Sequence, residues 1–131
     1  MVWYAGVLAS KRKHDKTLVI DFDGTIAEDK YPYIGKALPG AKEAIRKLKD
    51  AGYEIVIFSC RTTKNDGKPE AEVAEQKERM ADWMRENDIP FDRIEDGRDG
   101  KPHCLYFVDN KALHYGGNDD WESICQYILS K

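Results

Sequence analysis

The chain of 131 residues is long enough for one domain with a sizeable core and too short for two. Its 21 basic and 24 acidic side chains leave a formal charge of −3. By net charge alone no tail or face stands out as a polybasic nucleic-acid surface, and an anionic ligand would need locally placed Lys, Arg or metal.

Residues 1–16 read as an N-terminal arm. Its apolar stretch precedes the basic cluster Lys11-Arg12-Lys13, the reverse of a secretory signal, and is too short to span a bilayer. Cys60, Cys104 and Cys125 are odd in number and lack Cys-x-x-Cys spacing, which argues for free thiols in a reducing compartment. A cytoplasmic protein without a membrane partner is the expectation, as a monomer or a homodimer, with the arm packing on the domain or on a second copy.

Residues 17–131 form the core domain. The run Thr17-Leu-Val-Ile-Asp-Phe-Asp-Gly-Thr25 is an apolar strand that ends in two carboxylates and a glycine. Alternation along a strand sends Asp21 and Asp23 to the same side. Two neighbouring acids repel unless a cation or a proton is shared between them, so the pair points to chemistry rather than to a solvated turn.

Residues 26–38 read as an irregular stretch. Pro39 suits a first helical turn, and Ala41, Ala44, Ile45 and Leu48 recur at helical spacing before Gly52. Tyr53–Ser59 is a second buried strand with Ser59 at its end. A polar loop from Arg61 to Pro69 leads to a charged helix over 70–86, with Val73, Met80 and Met84 as its apolar stripe and Trp83 widening it. A short extended piece at Phe91–Ile94 and a glycine-rich turn at 96–100 follow. Leu105–Val108 is a further strand, ending in Asp109-Asn110-Lys111. The last helix opens on a capping box, Asp119-Asp120-Trp121-Glu122, and carries Trp121, Ile124, Cys125 and Ile128 on one face.

Continuous apolar strands alternating with amphipathic helices predict an α/β fold, a single Rossmann-like domain whose mainly parallel sheet is covered by helices on both faces. Such sheets carry their working residues at the carboxyl ends of the strands, here Asp21, Asp23, Ser59 and Asp109, which should meet in one crevice.

Four short motifs in this order, Asp21-Phe22-Asp23-Gly24-Thr25, Ser59, Lys101-Pro102 and Asp109 after Tyr106-Phe107-Val108, resemble the haloacid dehalogenase superfamily over nearly the whole of residues 17–129. Its members are mostly Mg²⁺-dependent phosphohydrolases. Tyr31-Pro32-Tyr33-Ile34-Gly35 and Ser59-Cys60-Arg61 are similar to a small branch of it.

The resemblance implies Asp21 as nucleophile, forming an aspartyl-phosphate, and Asp23 as the acid–base that protonates the leaving oxygen and then activates water. Gly24 would allow the sharp turn and Thr25 would donate to a phosphate oxygen. Ser59 would hydrogen-bond the phosphoryl group, with turn capping as its alternative. Lys101 would neutralise phosphate charge, with Lys111 and Lys64 as alternatives. Asp21, Asp23 through its backbone carbonyl, and Asp109 would hold Mg²⁺, an all-oxygen set that suits this cation. The branch usually has Asp-Asp-Arg where this chain has Asp109-Asn110-Lys111, so one formal negative charge near the cation is missing.

On the substrate side, Arg61 would either bind a second anionic group or pair with surface acids. Cys60 reads as a small buried residue in the same loop rather than a nucleophile. Tyr31 and Tyr33 read as packing beneath the first helix, with a wall for a base or sugar as the alternative. His14, His103 and His114 show no ligand spacing.

The slots where superfamily members carry a cap domain are short here, which implies a minimal cap or none and an open site. The substrate would then be a phosphorylated small molecule or a macromolecular phosphate, nucleic acid entering only as a substrate. A calcium loop starting at Asp21 would place Ile26 at its turn glycine and Pro32 at its bidentate glutamate, and is excluded. Two non-enzymatic alternatives stand beside the phosphatase: a phospho-accepting receiver-like module, and a relative that binds phosphorylated ligands without turnover.

Overall fold

The computed structural model describes residues 16–62, 69–96, 104, 106–108 and 121–130. Strands β1 (Thr17–Ile20), β4 (Glu54–Phe58), β5 (Arg93–Glu95) and β6 (Tyr106–Val108) form one sheet in the order β5-β4-β1-β6, and every pairing is parallel. All four residues of β1 are buried, as the β-branched, apolar composition of a central strand requires. The fold is the α/β, Rossmann-like arrangement expected from the sequence, a parallel sheet flanked by helices in a single small domain.

Helix α1 (Ala41–Asp50) links β1 to β4, and α2 (Glu70–Glu86) links β4 to β5. Both crossovers step in the same direction along the sheet, so right-handed connections place both helices on one face. Ile45, Leu48, Met80 and Met84 accordingly share a core with Leu18, Ile20, Ile55 and Ile57. Helix α3 (Trp121–Leu129) joins this core through Trp121, Ile124 and Ile128, and Cys125 Sγ lies 3.7 Å from the carbonyl of Ala44 on α1. The other face carries a smaller cluster of Val19, Val56 and Cys104, against which Phe58 and Phe107 pack. Among the described residues no helix is long and apolar enough to cross a membrane.

Three local expectations need correction. Helix α1 begins at Ala41, not at Pro39, because Gly40 takes a left-handed conformation (φ 83°) at the N-cap and breaks the helical path ahead of it. A side chain there would also crowd α3, since an added Cβ would sit 3.3 Å from Trp121 Cβ. The stretch 26–38 is not irregular either. It holds an antiparallel hairpin, β2 (Ala27–Lys30) and β3 (Tyr33–Ala37), with Asp29 opposite Ile34 and Lys30 opposite Tyr33. Gly35 is required by that pairing, because a Cβ would fall 2.7 Å from Glu28 Cβ and from its carbonyl oxygen. At the tip, Tyr31 and Tyr33 are 58% and 74% exposed, so they do not pack beneath α1.

The β4–β5 edge is closed by Asp92. Its N–H donates to the Ile55 carbonyl at 2.8 Å, its carboxylate accepts from the Ile55 N–H at 2.7 Å, and Lys49 of α1 pairs with its other oxygen. Partial burial pushes the Asp92 carboxyl up. The hydrogen bonds from Lys49 and Ile55, with the charges of Lys49 and Arg93, outweigh it and hold the group below the ordinary carboxylate value. A lowered native pKa stabilises the fold above the unfolded value and loses that contribution as pH falls through the native one. Wild type should therefore be more stable than Asp92→Asn at neutral pH, and the gap should close as pH drops through the carboxylate range. Thermal unfolding of both proteins along a pH series checks this, and a gap independent of pH would contradict it.

Candidate active site

Strand β1 lies between β4 and β6, the central position at whose carboxyl end parallel α/β sheets generally place their ligand crevice. The chain leaves the sheet there. The Asp21 N–H still donates to the Val108 carbonyl at 2.8 Å, and the next residues wind into a tight loop. The Phe22 carbonyl accepts from the N–H groups of Thr25, Ile26 and Ala27 at 3.2, 2.9 and 3.1 Å, while the Gly24 N–H donates to Ala27 at 2.7 Å. Gly24 sits at φ 81°, a conformation that favours glycine, so the glycine of the motif is set by backbone geometry. Phe22 is fully buried, with its ring edge-on to Trp83 at 5.2 Å, and the acids on either side of it are half-buried.

The two acids have different partners. Thr25 Oγ1 donates to Asp21 Oδ2 at 3.3 Å. Asp23 is held by Arg61, whose Nε donates to Oδ2 at 2.7 Å and whose Nη2 donates to Oδ1 at 2.9 Å, a bidentate fork. Both residues come from loops that start at neighbouring parallel strands, which is why a separation of 38 positions closes to hydrogen-bond distance.

Ser59 follows β4 and is 2% exposed. Its Oγ accepts from the Arg61 N–H at 3.1 Å, and its carbonyl accepts from the Thr62 N–H at 3.1 Å, so the turn-capping role is realised. A hydroxyl that accepts can still donate, so this does not conflict with a phosphoryl contact. Thr62 ties the loop to the end of β5, its Oγ1 donating to the Glu95 carbonyl at 2.8 Å.

Arg61 departs most from expectation. Neither a surface ion pair nor an anion-binding side chain open to substrate, it is 1% exposed and faces Asp23, with its Cζ 5.0 Å from the Tyr31 ring and 6.0 Å from that of Phe22. Cys60 is exposed, not buried. Thr25 directs its hydroxyl to Asp21 rather than to open space. Lys101 and Asp109, with Lys64, Asn110 and Lys111, lie outside the described residues. The structure thus brings together Asp21 with Thr25, and Asp23 with Arg61, whose own backbone N–H is held by Ser59. Among the described residues no group of three or more His, Cys, Asp or Glu could hold a metal ion.

Two contributors escape sequence reasoning. The hairpin tip presents the Pro32 and Tyr33 carbonyls to Arg61 at 3.1 and 2.7 Å. Trp121, read only as part of an apolar helix face, donates its indole N–H to the Thr25 carbonyl at 2.7 Å and so pins the motif loop to α3. The Tyr31-Pro32 dipeptide is a turn signal that could have announced the hairpin. The indole contact has no local signature.

Among solved structures the chain is similar to a conserved protein from Bacteroides thetaiotaomicron, with 28% identity, 87% of this chain and 89% of that one covered, and a TM-score of 0.61. It also shares the fold of a crystallised protein from Vibrio cholerae, with 21% identity, 88% and 98% covered, and a TM-score of 0.58. No family model and no curated protein matches the chain.

Removing the indole donor leaves the buried Thr25 carbonyl without this partner, a loss of about 1–3 kcal/mol. Trp121→Phe should lower the unfolding free energy by that amount in chemical denaturation, and an unchanged midpoint would show that the loop does not depend on α3.

Proposed function

We propose that the chain is a Mg²⁺-dependent phosphomonoester hydrolase of the haloacid dehalogenase superfamily, working through an aspartyl-phosphate on Asp21. One observation carries the reading: two acids share the carboxyl end of the central strand, yet each is held by a separate group, Asp21 by the Thr25 hydroxyl and Asp23 by the Arg61 fork. Two carboxylates in different environments suit two different tasks.

In the first half-reaction an Asp21 carboxylate oxygen attacks phosphorus, the new O–P bond forms, and the ester P–O bond breaks with its electron pair on the leaving oxygen. Asp23, protonated, delivers its proton to that oxygen. In the second, Asp23 takes a proton from water, whose oxygen attacks phosphorus and releases phosphate and the free Asp21 carboxylate. The bidentate pair leaves a lone pair on each Asp23 oxygen for that proton. Ser59 would contact the phosphoryl oxygens, and Lys101 would supply positive charge.

The donors offered here are oxygen only, the Asp21 carboxylate with the main chain at Asp23, a set that fits a hard cation. With its carboxylate on Arg61, Asp23 would offer its backbone carbonyl, and Asp109 would complete the set. Mg²⁺ would neutralise charge on the phosphoryl oxygens as the ester bond breaks.

Wild type should release phosphate from an aryl phosphate only with Mg²⁺, and chelation should abolish release. Asp21→Asn should reduce turnover by at least about 10³-fold. Release that survives this substitution would overturn the mechanism. Binding of phosphate analogues by a wild type that turns over no ester in a broad screen would favour the ligand-binding alternative.

A further inference from the structure

The guanidinium that holds Asp23 also holds the hairpin. Nε and one Nη2 hydrogen take the two Asp23 oxygens, Nη2 donates again to the Tyr33 carbonyl at 2.7 Å, and Nη1 donates to the Pro32 carbonyl at 3.1 Å. Four of the five N–H groups in the planar fork are thereby committed, two to the acid and two to the main chain at the hairpin tip. The rings of Phe22 and Tyr31 lie near the same carbon, and 1% of the side chain is exposed. A rigid plane bonded on two sides transmits position. If the hairpin tip moves relative to β4, either the fork lets go of the carbonyls or Asp23 moves with it.

We propose that Arg61 is a positioning residue that keys the Asp23 carboxylate to the β2–β3 hairpin, so that the acid–base group and the hairpin are set as one unit. The assignment of acid–base work to Asp23 rests on the phosphatase reading; the mechanical coupling does not. Orientation matters most when the leaving oxygen must receive a proton as its bond to phosphorus breaks, where misplacement on the order of 1 Å costs about 100-fold. An alkoxide leaving group needs that proton, whereas 4-nitrophenolate departs without it. Lysine keeps the charge at position 61 but is a point donor that cannot span the carboxylate and two carbonyls.

The test compares an alkyl phosphate with 4-nitrophenyl phosphate in wild type, Arg61→Lys, Asp23→Asn and the double variant. The kcat ratio of alkyl to aryl ester should fall by about 10-fold or more in Arg61→Lys and in Asp23→Asn, and the double variant should be no worse than Asp23→Asn. Equal losses on both esters, or losses that multiply in the double variant, would overturn the proposal. Amide hydrogen exchange reads the coupling without turnover. Residues 27–37 should exchange about 10-fold faster in Arg61→Lys while Glu54–Phe58 stays protected, and unchanged hairpin exchange would overturn the coupling. Should Arg61→Lys fail to fold, Asp23→Asn carries the same exchange measurement, because the amide nitrogen cannot accept from the guanidinium and so loosens the acid's side of the fork. A wild type inert toward both esters would remove the phosphatase reading alone, and exchange would then decide the coupling.

Discussion

A guanidinium shielded by Phe22 and Tyr31 is costly to keep there unless its N–H groups are matched and an acid stands beside it. Arg61 meets both demands with Asp23 and two hairpin carbonyls. Breaking a buried pair by removing one partner typically costs about 3–5 kcal/mol, against about 0–1 kcal/mol for exposed pairs. That difference sets the Asp23–Arg61 pair apart from Lys42–Asp88 or Arg85–Asp82 on the surface. The loop after β1, the loop after β4 and the hairpin between β1 and α1 are therefore one assembly around a single cation.

Around that cation the sheet does the coarse positioning. Parallel pairing of β1 with β4 brings the Asp23 and Ser59–Arg61 loops to the same end, and β6 on the other side anchors the Asp21 N–H. Finer control comes from tertiary hydrogen bonds. Trp121 fixes the Thr25 carbonyl, Thr25 orients Asp21, and Thr62 fastens the Arg61 loop to β5. Each acid is thus approached from a different part of the fold, so a change at one can leave the other in place.

The parts of this arrangement that were legible in the sequence are those written locally. Apolar runs mark the sheet strands, the spacing of Val73, Met80 and Met84 marks α2, and the pair of acids ending the first run marks the candidate site. The hairpin was hidden because Glu28, Asp29 and Lys30 alternate with nothing apolar, and its tip is fastened by an arginine some thirty positions further on. Arg61 eludes the sequence for the same reason: position in a polar loop suggests exposure, and only the tertiary fold encloses it. The Trp121 indole contact spans 96 positions, beyond any periodicity argument.

What the site is for turns on whether Asp21 forms a covalent bond to phosphorus. The direct measurement is to quench the protein with acid in the presence of a phosphate ester, reduce any acyl phosphate with borohydride, and map the peptides by mass spectrometry. The expected result is reduction of the side chain at position 21 and at no other acid, with Asp23 intact. An unmodified Asp21 under conditions of demonstrated phosphate release, or reduction at Asp23 instead, would contradict it.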